Sequence, residues 1–330
     1  MIFLTVSIRE HVMKNIGISA KNEIEICSPQ PISEKLGILV NLNKSFIQNK
    51  LLAHEQTLDN KVNRYKKQFE NYQGQKTPIL VVYKTNPEVS DSVNQLYALS
   101  QVTHKTSNSA ELTILIKNMN LVKEKLKSQL LNIKHFIIAD GHHRVSASKQ
   151  VTHLASISAL LIADDSIKLY GSSYIFNELT KYDTEDLLHQ LSSYFQIKMI
   201  NKDNYPSDCA ILRIENKLYA LNNSDNSQLN IVENKFILAH ALHNNLINKL
   251  IDGDNDNFLS SVIIKPNKYQ GGIYSTNHDK LILDLPVFSH SEINYLSNHK
   301  MLLPPHCTWY EPKISAEMLT KSIITRRSHG

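Results

Sequence analysis

Hydrophobic residues in the first half of the chain fall into short apolar runs separated by amphipathic stretches. The runs predict buried strands at 36–40, 78–83, 112–116, 135–139 and 157–163. The stretches between them predict helices at about 55–73, 89–100, 121–131 and 145–150. The first run is short, so a helix there is left open. This alternation of strands and helices predicts an α/β layer structure up to about residue 180.

The second half of the chain has a different pattern, in which polar segments separate isolated strands from one longer helix. Strands are predicted at 210–214 and 261–265, and a helix is predicted from about 233 to 250. This pattern is typical of an α+β lobe, so the fold class expected for the whole chain is α/β to α+β. The predicted domains are an unassigned segment, an α/β core and the lobe, at 1–36, 37–180 and 181–330.

Composition narrows the classes of partner. The chain has 330 residues, 42% of them hydrophobic, and a formal net charge of +5. Its lysines are scattered, which favours small anionic molecules over nucleic acid. Its three cysteines form no CxxC pair, and no apolar run approaches the ~20 residues that span a bilayer. We therefore expect a cytoplasmic protein with no membrane partner, and the oligomeric state is left open.

The segment 139–144 has the strongest chemical character in the sequence, because a predicted strand ends there and a predicted helix begins. Gly141 permits an unusual φ and close approach of the backbone to a ligand. The first N–H groups of a helix, here near His142 and His143, suit a phosphate. Arg144 adds a planar fork that binds phosphate oxygens, and Asp140 could cap the helix, bind a metal or accept a proton. The alternative is a capped helix with two incidental histidines.

Two further groups of carboxylates are candidates. Glu55 follows His54 at the start of a predicted helix, where the helix dipole alone also favours an acidic residue. Asp164 and Asp165 follow a buried strand, a position that can face a ligand cleft and hold Mg²⁺. The alternative for this pair is an ordinary turn.

The C-terminal segment Pro304–Lys313 predicts a stiff, extended stretch. His306, Thr308 and Lys313 could line an anion site, and a packed terminal strand is the alternative. The chain has nine glycines, which form neither GxGxxG nor the phosphate-loop patterns GxxxxGKS and GxxxxGKT. Any nucleotide must therefore be bound in another way.

Three of these segments resemble one bacterial and archaeal family, catalogued as a domain of unknown function (number 1015). Residues 139–144 resemble its ADGHHR signature, and His54–Thr57, followed by Lys61 and Arg64, resembles its HE-x-T helix start. Pro304–Lys313 resembles its MPPKST-x-F-x-PK tail. A strand that ends at two aspartates, 160–165, is similar as well.

This resemblance covers roughly residues 37–320, and the chain departs from the family in two places. Residues 1–36 do not match it, and His306 and Cys307 stand where its tail has Lys and Ser.

The DGHHR turn is also similar to a turn of the ParB/sulfiredoxin-like fold, in which free L-serine kinases carry an upstream catalytic glutamate. The resemblance implies a mixed-sheet core and phosphoryl transfer from ATP or ADP, with Mg²⁺, to a small hydroxyl substrate, with free L-serine as the candidate. The implied catalytic residues are Glu55, Asp140 and His143. The implied phosphate or nucleotide contacts are Gly141, His142, His143, Arg144, His54, Thr57, Thr308 and Lys313. The metal candidates are Asp164 and Asp165.

Two other functions are left open. A nucleotide- or anion-binding regulatory protein without phosphotransfer would fit the substituted tail and the shortened N-terminal region. DNA binding, by analogy to ParB, is the weaker option, because the basic residues do not cluster and no helix-turn-helix is legible.

Overall fold

The computed structural model describes residues 23–32, 34–71, 75, 77–103, 105–106, 108–176, 184–201, 206–214, 217–224, 229–250, 262–267 and 281–314. Backbone contacts divide these residues into two compact units. Of the described residues, the first unit contains 23–53, 57–168 and 312–314. The second unit contains 54–56 and the described residues from 169 to 311.

A six-stranded sheet forms the centre of the first unit. Its strands are β1 (Ile24–Ile32), β2 (Lys35–Asn43), β3 (Leu51–Leu52), β4 (Ile79–Tyr83), β5 (Phe136–Asp140) and β6 (Ser156–Ala163), in the order β1-β2-β6-β4-β5-β3. The β4–β6 and β3–β5 pairs are parallel, and the β1–β2, β2–β6 and β4–β5 pairs are antiparallel. The predicted mixed-sheet core is thus confirmed.

Helices pack on this sheet and supply the rest of its core. They are α1 (Lys44–Asn49), α2 (Asp59–Glu70), α3 (Pro87–Thr103), α4 (Ser109–Asn132) and α5 (His142–Gln150), with a 3-10 turn at Asp164–Ser166. Every residue of β4 is buried, which agrees with its continuous apolar run and its central place in the sheet. The apolar runs at 78–83, 135–139 and 157–163 are therefore strands, as predicted.

The strand predicted at 112–116 is wrong, because these residues belong to the long helix α4. Ile114 and Ile116 are 60% and 47% exposed, so their apolar character does not mark a buried strand. The helix begins at Ser109 and is capped by Asn108, whose side chain accepts a hydrogen bond from the N–H of Ala110. Its buried residues lie further along at four-residue spacing, at Val122, Leu126 and Leu130.

The helix predicted from about residue 55 begins instead at Asp59. Residues 54–56 belong to the second unit, where Glu55 forms an isolated parallel bridge with Leu303. Glu55 is therefore not the first-turn helix carboxylate that the sequence predicted. A contact across 248 positions of sequence is invisible to a local pattern of hydrophobic residues.

A second sheet organises the second unit. Its strands are β7 (Lys168–Phe176), β8 (Phe195–Ile200), β9 (Ala210–Ile214), β10 (Lys217–Asn223), β11 (Val262–Pro266), β12 (Leu281–Asp284) and β13 (Thr308–Glu311). Their order is β11-β7-β12-β9-β10-β8, with β13 also paired to β7. The helices are α6 (Thr184–Ser192), α7 (Ile231–Leu242), a π-helical turn (His243–Ile247), α8 (Asn248–Leu250) and α9 (His290–Asn298). The predicted α+β lobe is confirmed.

Strand β7 fixes the C-terminal segment of the second unit. The N–H of Ser172 donates to the carbonyl of Cys307 at 3.2 Å. The hydroxyl of Tyr174, a fully buried residue, donates to the carbonyl of Pro305 at 3.1 Å. These contacts hold residues 305–307 in one conformation. The predicted domain ranges 1–36, 37–180 and 181–330 were drawn from sequence pattern and stay a prediction.

Candidate functional site

The turn between β5 and α5 depends on Gly141. Its backbone has φ 102° and ψ 23°, in the left-handed region that residues with a side chain rarely adopt. A Cβ atom at this position would lie 2.6 Å from Cγ2 of Ile79 and 3.0 Å from Nη2 of Arg144. The unusual φ predicted for Gly141 is confirmed, and the space beside its Cα atom is also closed to a side chain.

Helix α5 starts directly after this glycine, and its N-terminus has no side-chain cap and no acidic residue in the first turn. The first N–H groups of a helix have no intrahelical partner and carry the positive end of the helix dipole. The interpretation of Asp140 as the helix cap is wrong, because its carboxylate accepts from the side chain of Arg144 instead. This N-terminus therefore keeps the partial positive charge that suits an anion.

Two cations flank the carboxylate of Asp140, whose side chain is 47% exposed. Nη2 of Arg144 donates to Oδ2 at 2.8 Å, and Nζ of Lys313 lies 3.7 Å from Oδ1. Lys313 is itself 40% exposed, so its ammonium group can also meet a ligand. Asp140 of the turn and Lys313, the last residue of the segment Pro304–Lys313, thus lie close together within the first unit.

Arg144 makes several hydrogen bonds within the protein, and its predicted contact with phosphate stays a prediction. Its side chain is only 11% exposed. Nη1 donates to the carbonyl oxygens of Thr77 and Pro78 at 2.6 and 3.0 Å, and Nη2 donates to Asp140. A planar guanidinium satisfies this set of acceptors, whereas an ammonium could not. Arg144 therefore ties the turn to the segment that precedes β4 and orients Asp140.

The two histidines of the turn are neutral at pH 7. Burial is the main cause that lowers the pKa of His142 to about 3. Burial, and then the charge of Lys61, lowers the pKa of His143 to about 4, against the opposing effect of Asp140. Nε2 of His143 accepts a hydrogen bond from the N–H of Leu58 at 3.0 Å, so its proton is on Nδ1. His143 can donate from Nδ1, but Nε2 does not serve as a general base here.

Glu55 is the centre of a buried cluster in the second unit, with its side chain 10% exposed. Oε1 accepts from the N–H and the hydroxyl of Thr308 at 2.8 and 2.6 Å. Oε2 accepts from the N–H of His306 at 3.1 Å. The donors that face these oxygens are the partners of an ionised carboxylate.

His54 lies behind this cluster and is fully buried. Its Nε2 is 2.8 Å from the hydroxyl oxygen of Thr308, and its ring packs edge-on against Tyr310. Both side chains are buried, and the Thr308 hydroxyl donates to Glu55. The phosphate contacts of His54 and Thr308 stay predictions, and in the resting protein both residues lie beside the carboxylate.

His306, one of the two substituted residues of the tail, contacts Glu55 through its main chain. His306 adopts φ 64°, and its N–H and that of Thr308 converge on the same carboxylate. Successive N–H groups around a left-handed residue form an anion-binding nest. Cys307 is 1% exposed, and burial raises the pKa of its thiol well above the ordinary value. Replacement of the family's Lys and Ser side chains therefore leaves the backbone donors to Glu55 in place.

The remaining predicted residues lie elsewhere. Oδ1 of Asp164 accepts from the N–H and hydroxyl of Thr85 at 2.9 and 2.6 Å, and Asp165 accepts from Ser166 at 2.8 Å. In the part of the chain that the structure describes, His, Cys, Asp and Glu side chains form no group of three or more suited to a metal ion. Thr57 is half-buried. The Mg²⁺ role of the two aspartates and the nucleotide role of Thr57 stay predictions.

Sequence reasoning missed the residues that act through their backbone or as supports. Leu58 and Thr77 contribute main-chain groups to the turn, and Tyr174 holds the carbonyl of Pro305. A main-chain donor has no side-chain signature, so no local signal could have identified the first two. Tyr174 lies in an apolar strand and reads there as an ordinary core residue.

These features define a mixed α/β protein with an additional α+β lobe and a glycine-initiated strand-to-helix turn. Residues 34–250 match the family described as "Protein of unknown function (DUF1015)", and the chain belongs to this family. The match includes Glu55 and the turn, and it ends before Pro304–Lys313. No curated protein is significantly similar to the chain.

Several solved structures have a similar fold at low sequence identity. SbnI with a C-terminal truncation, from Staphylococcus aureus, has a TM-score of 0.49 and 10% identity over 86% of this chain and 93% of that one. A conserved hypothetical protein from Pyrococcus furiosus has a TM-score of 0.44 and 11% identity over 86% and 94%. A free serine kinase variant in complex with AMP has a TM-score of 0.44 and 11% identity over 88% and 90%. None of these similarities assigns an activity to this chain.

Among the described residues, none of the helices combines the length and apolar character needed to span a bilayer.

Proposed function

We propose that the protein is a nucleotide-dependent small-molecule kinase, which transfers a phosphoryl group from ATP or ADP to a hydroxyl acceptor such as free L-serine. The observation that carries this proposal is the turn at Gly141, where an uncapped helix N-terminus adjoins a half-exposed aspartate and a half-exposed lysine. Phosphoryl transfer requires mainly positioning and charge neutralisation, which these groups supply.

The nucleotide phosphates would bind at the start of α5. The N–H groups of His142 and His143 point along the helix axis toward an anion. Lys313 would provide a positive charge beside them, on a side chain that is 40% exposed. Arg144 would contribute by holding the turn and Asp140, in addition to the phosphate contact predicted for its guanidinium group.

Asp140 is the carboxylate of the turn that would contribute to binding Mg²⁺, beside the candidates Asp164 and Asp165. Mg²⁺ prefers carboxylate oxygens and keeps several waters, so it needs a partly exposed carboxylate. The side chain of Asp140 is 47% exposed, but Mg²⁺ would have to replace Lys313, whose Nζ lies 3.7 Å from Oδ1. Oδ1 of Asp164 likewise accepts two hydrogen bonds from Thr85. A bound Mg²⁺ would neutralise charge on the transferred phosphoryl group.

Glu55 would accept the proton of the acceptor hydroxyl. As this O–H bond breaks, the hydroxyl oxygen forms a bond to the terminal phosphorus, and the bond from that phosphorus to the bridging oxygen of the nucleotide breaks. ATP would leave as ADP, and ADP as AMP. The ionised carboxylate of Glu55, held by donors from His306 and Thr308, supports this role as a base.

The test is to incubate the purified full chain with Mg²⁺, L-serine and either ATP or ADP, and to detect O-phosphoserine by mass spectrometry. We expect product with one of the two donors, and loss of product in Glu55→Gln. The absence of product with both donors, for serine and for a panel of other hydroxylated metabolites, would refute the kinase. Unimpaired turnover in Glu55→Gln would exclude Glu55 as the base.

A nucleotide-binding regulatory protein without phosphotransfer is the second candidate. It is favoured by the burial of Glu55, whose three hydrogen bonds to the tail also suit a purely structural carboxylate. The same assay separates the two functions, because a regulatory protein would bind nucleotide and give no phosphorylated product with any acceptor.

A further inference from the structure

His54, Thr308 and Glu55 form a chain of hydrogen bonds in which the donor and the acceptor of each bond can be assigned. The Glu55 carboxylate can only accept, so the hydroxyl hydrogen of Thr308 points to Oε1 across 2.6 Å. A hydroxyl has one hydrogen, and His54 Nε2 is 2.8 Å from the same oxygen. Nε2 of His54 must therefore carry a hydrogen and donate it to Thr308. The direction runs from His54 through Thr308 to Glu55.

The strand β13 places the members of this chain. Side chains two residues apart on a strand lie on the same face, so Thr308 and Tyr310 both face His54. Tyr310 is 1% exposed, and its ring lies 6.0 Å from the His54 ring and 5.8 Å from the His290 ring. The His54 ring thus packs against Tyr310, which itself packs against His290, and this contact supports the orientation that its hydrogen bond requires.

The chain ends on one of the two carboxylate oxygens. Oε1 accepts at 2.8 and 2.6 Å from Thr308, whereas Oε2 accepts at 3.1 Å from the N–H of His306. An oxygen that accepts two short hydrogen bonds is less basic than one that accepts a single longer bond. The arrangement therefore makes the two oxygens chemically different.

We infer that Thr308, supported by His54, is the positioning residue that fixes the rotamer and the ionised form of Glu55 and leaves Oε2 as its proton-accepting oxygen. The inference deepens the proposed kinase and rests on it only for its kinetic consequence. In this inference, Thr308 contacts the Glu55 carboxylate and His54 contacts Thr308, so both residues support the base.

The first test measures the resting protein and needs no substrate. Two-bond ¹H–¹⁵N correlation spectra of histidine-labelled protein, assigned by comparison with His54→Gln, report which ring nitrogen of His54 is protonated. We expect the Nε2–H tautomer. The Nδ1–H tautomer would overturn the inference, because Nε2 could not then donate to Thr308. This measurement decides the point even if variants at position 308 fail to fold.

The second test compares Thr308→Ser, which keeps the hydroxyl, with Thr308→Val, which keeps the shape and removes it. The ¹³C signal of the Glu55 carboxyl, identified by its absence in Glu55→Gln, is followed as the pH is lowered. We expect Thr308→Val to move this titration to higher pH and Thr308→Ser to restore the behaviour of the wild type, because a lost donor favours the protonated carboxyl. Identical titrations in the two variants would overturn the inference.

The kinetic arm uses the same pair of variants. We expect Thr308→Val to lower kcat about 10- to 100-fold with KM unchanged, as for a misplaced catalytic group, and Thr308→Ser to stay close to the wild type. The acid limb of the pH–rate profile should move up in Thr308→Val. If the wild type shows no phosphotransfer, the proposed function fails while the two spectroscopic measurements still decide the role of Thr308. An equal kcat in both variants of an active enzyme would also overturn that role.

Discussion

At the level of single residues, the turn after β5 requires glycine at position 141 for two separate reasons. The first is the left-handed backbone at φ 102°, and the second is that a Cβ atom here would lie 2.6 Å from Cγ2 of Ile79. Ile79 is fully buried in β4, so it has little room to move. These effects add, because one acts on the backbone and the other on packing.

We therefore expect Gly141→Ala to lower the free energy of unfolding by about 2 to 5 kcal/mol, the sum of the costs of the left-handed conformation and of the overpacking. Urea denaturation measures this difference. Ser146→Ala is the matched control, since it adds no atoms to the same helix and should change stability by less than about 0.5 kcal/mol. A Gly141→Ala protein as stable as the control would show that the turn adopts another backbone conformation.

The chemistry of a side chain shows what Arg144 and Thr308 can bind, but not which partners they have in the folded protein. A sequence shows that Arg144 has a guanidinium group, but not that the carbonyls of Thr77 and Pro78 already accept from it. It shows a hydroxyl at Thr308, but not the carboxylate that this hydroxyl meets 253 positions away. Gly141 was predicted well, because its requirement is local. The partners of Arg144 and Thr308 were not, because they come from distant parts of the chain.

At the level of secondary-structure elements, His143 joins the N-terminal ends of α5 and α2. Helix α2 has no side-chain cap of its own, and the N–H of its N-cap residue Leu58 donates to Nε2 of His143. This bond requires a neutral imidazole. The cationic Lys61 of α2 also opposes protonation of this ring. The contact between the two helix ends is therefore sensitive to acid.

The sign of the pH effect follows from the pKa values. The pKa of His143 is lowered by burial to about 4 in the folded protein, against ~6.5 in an unfolded chain. Between these values the unfolded chain binds more protons, so stability falls as the pH drops from about 6.5 to 4. His142, whose pKa burial lowers to about 3, adds to the same trend.

We expect His143→Gln to reduce this loss of stability, because the glutamine oxygen can accept from Leu58 and does not titrate. The slope of stability against pH should fall by less than about 1.4 kcal/mol per pH unit, since His143 is partly screened by solvent. Urea denaturation at several pH values between 4 and 7 measures it, with His153→Gln as a control for a histidine outside the turn. Equal slopes in wild type and His143→Gln would contradict the assignment of the Leu58 contact.

Element prediction succeeded where the pattern of burial is simple. Strand β4 is buried along its whole length, and its apolar run identified it directly. Prediction failed for α4, because Ile114 and Ile116 are exposed apolar residues that imitate a short strand. It also failed at the start of α2, where Glu55 leaves the helical pattern to bridge Leu303.

At the level of the whole molecule, the chain passes between its two units more often than its sequence indicates. Residues 54–56 belong to the second unit, although the residues on both sides of them belong to the first. Residues 312–314 return to the first unit, which brings Lys313 to Asp140. The fold class was predictable from the order of strands and helices. These crossings were not, because they are fixed by contacts between distant segments.

The proposed function depends above all on the binding of nucleotide phosphates by the first N–H groups of α5. Backbone amide spectra of deuterated, ¹⁵N-labelled protein, recorded during titration with ADP and Mg²⁺, test this directly. We predict that the amides of Gly141, His142 and His143 shift most, and that adenosine, which lacks phosphates, leaves these three signals unchanged. Saturating ADP that shifts other amides while these three stay in place would contradict the proposed phosphate site.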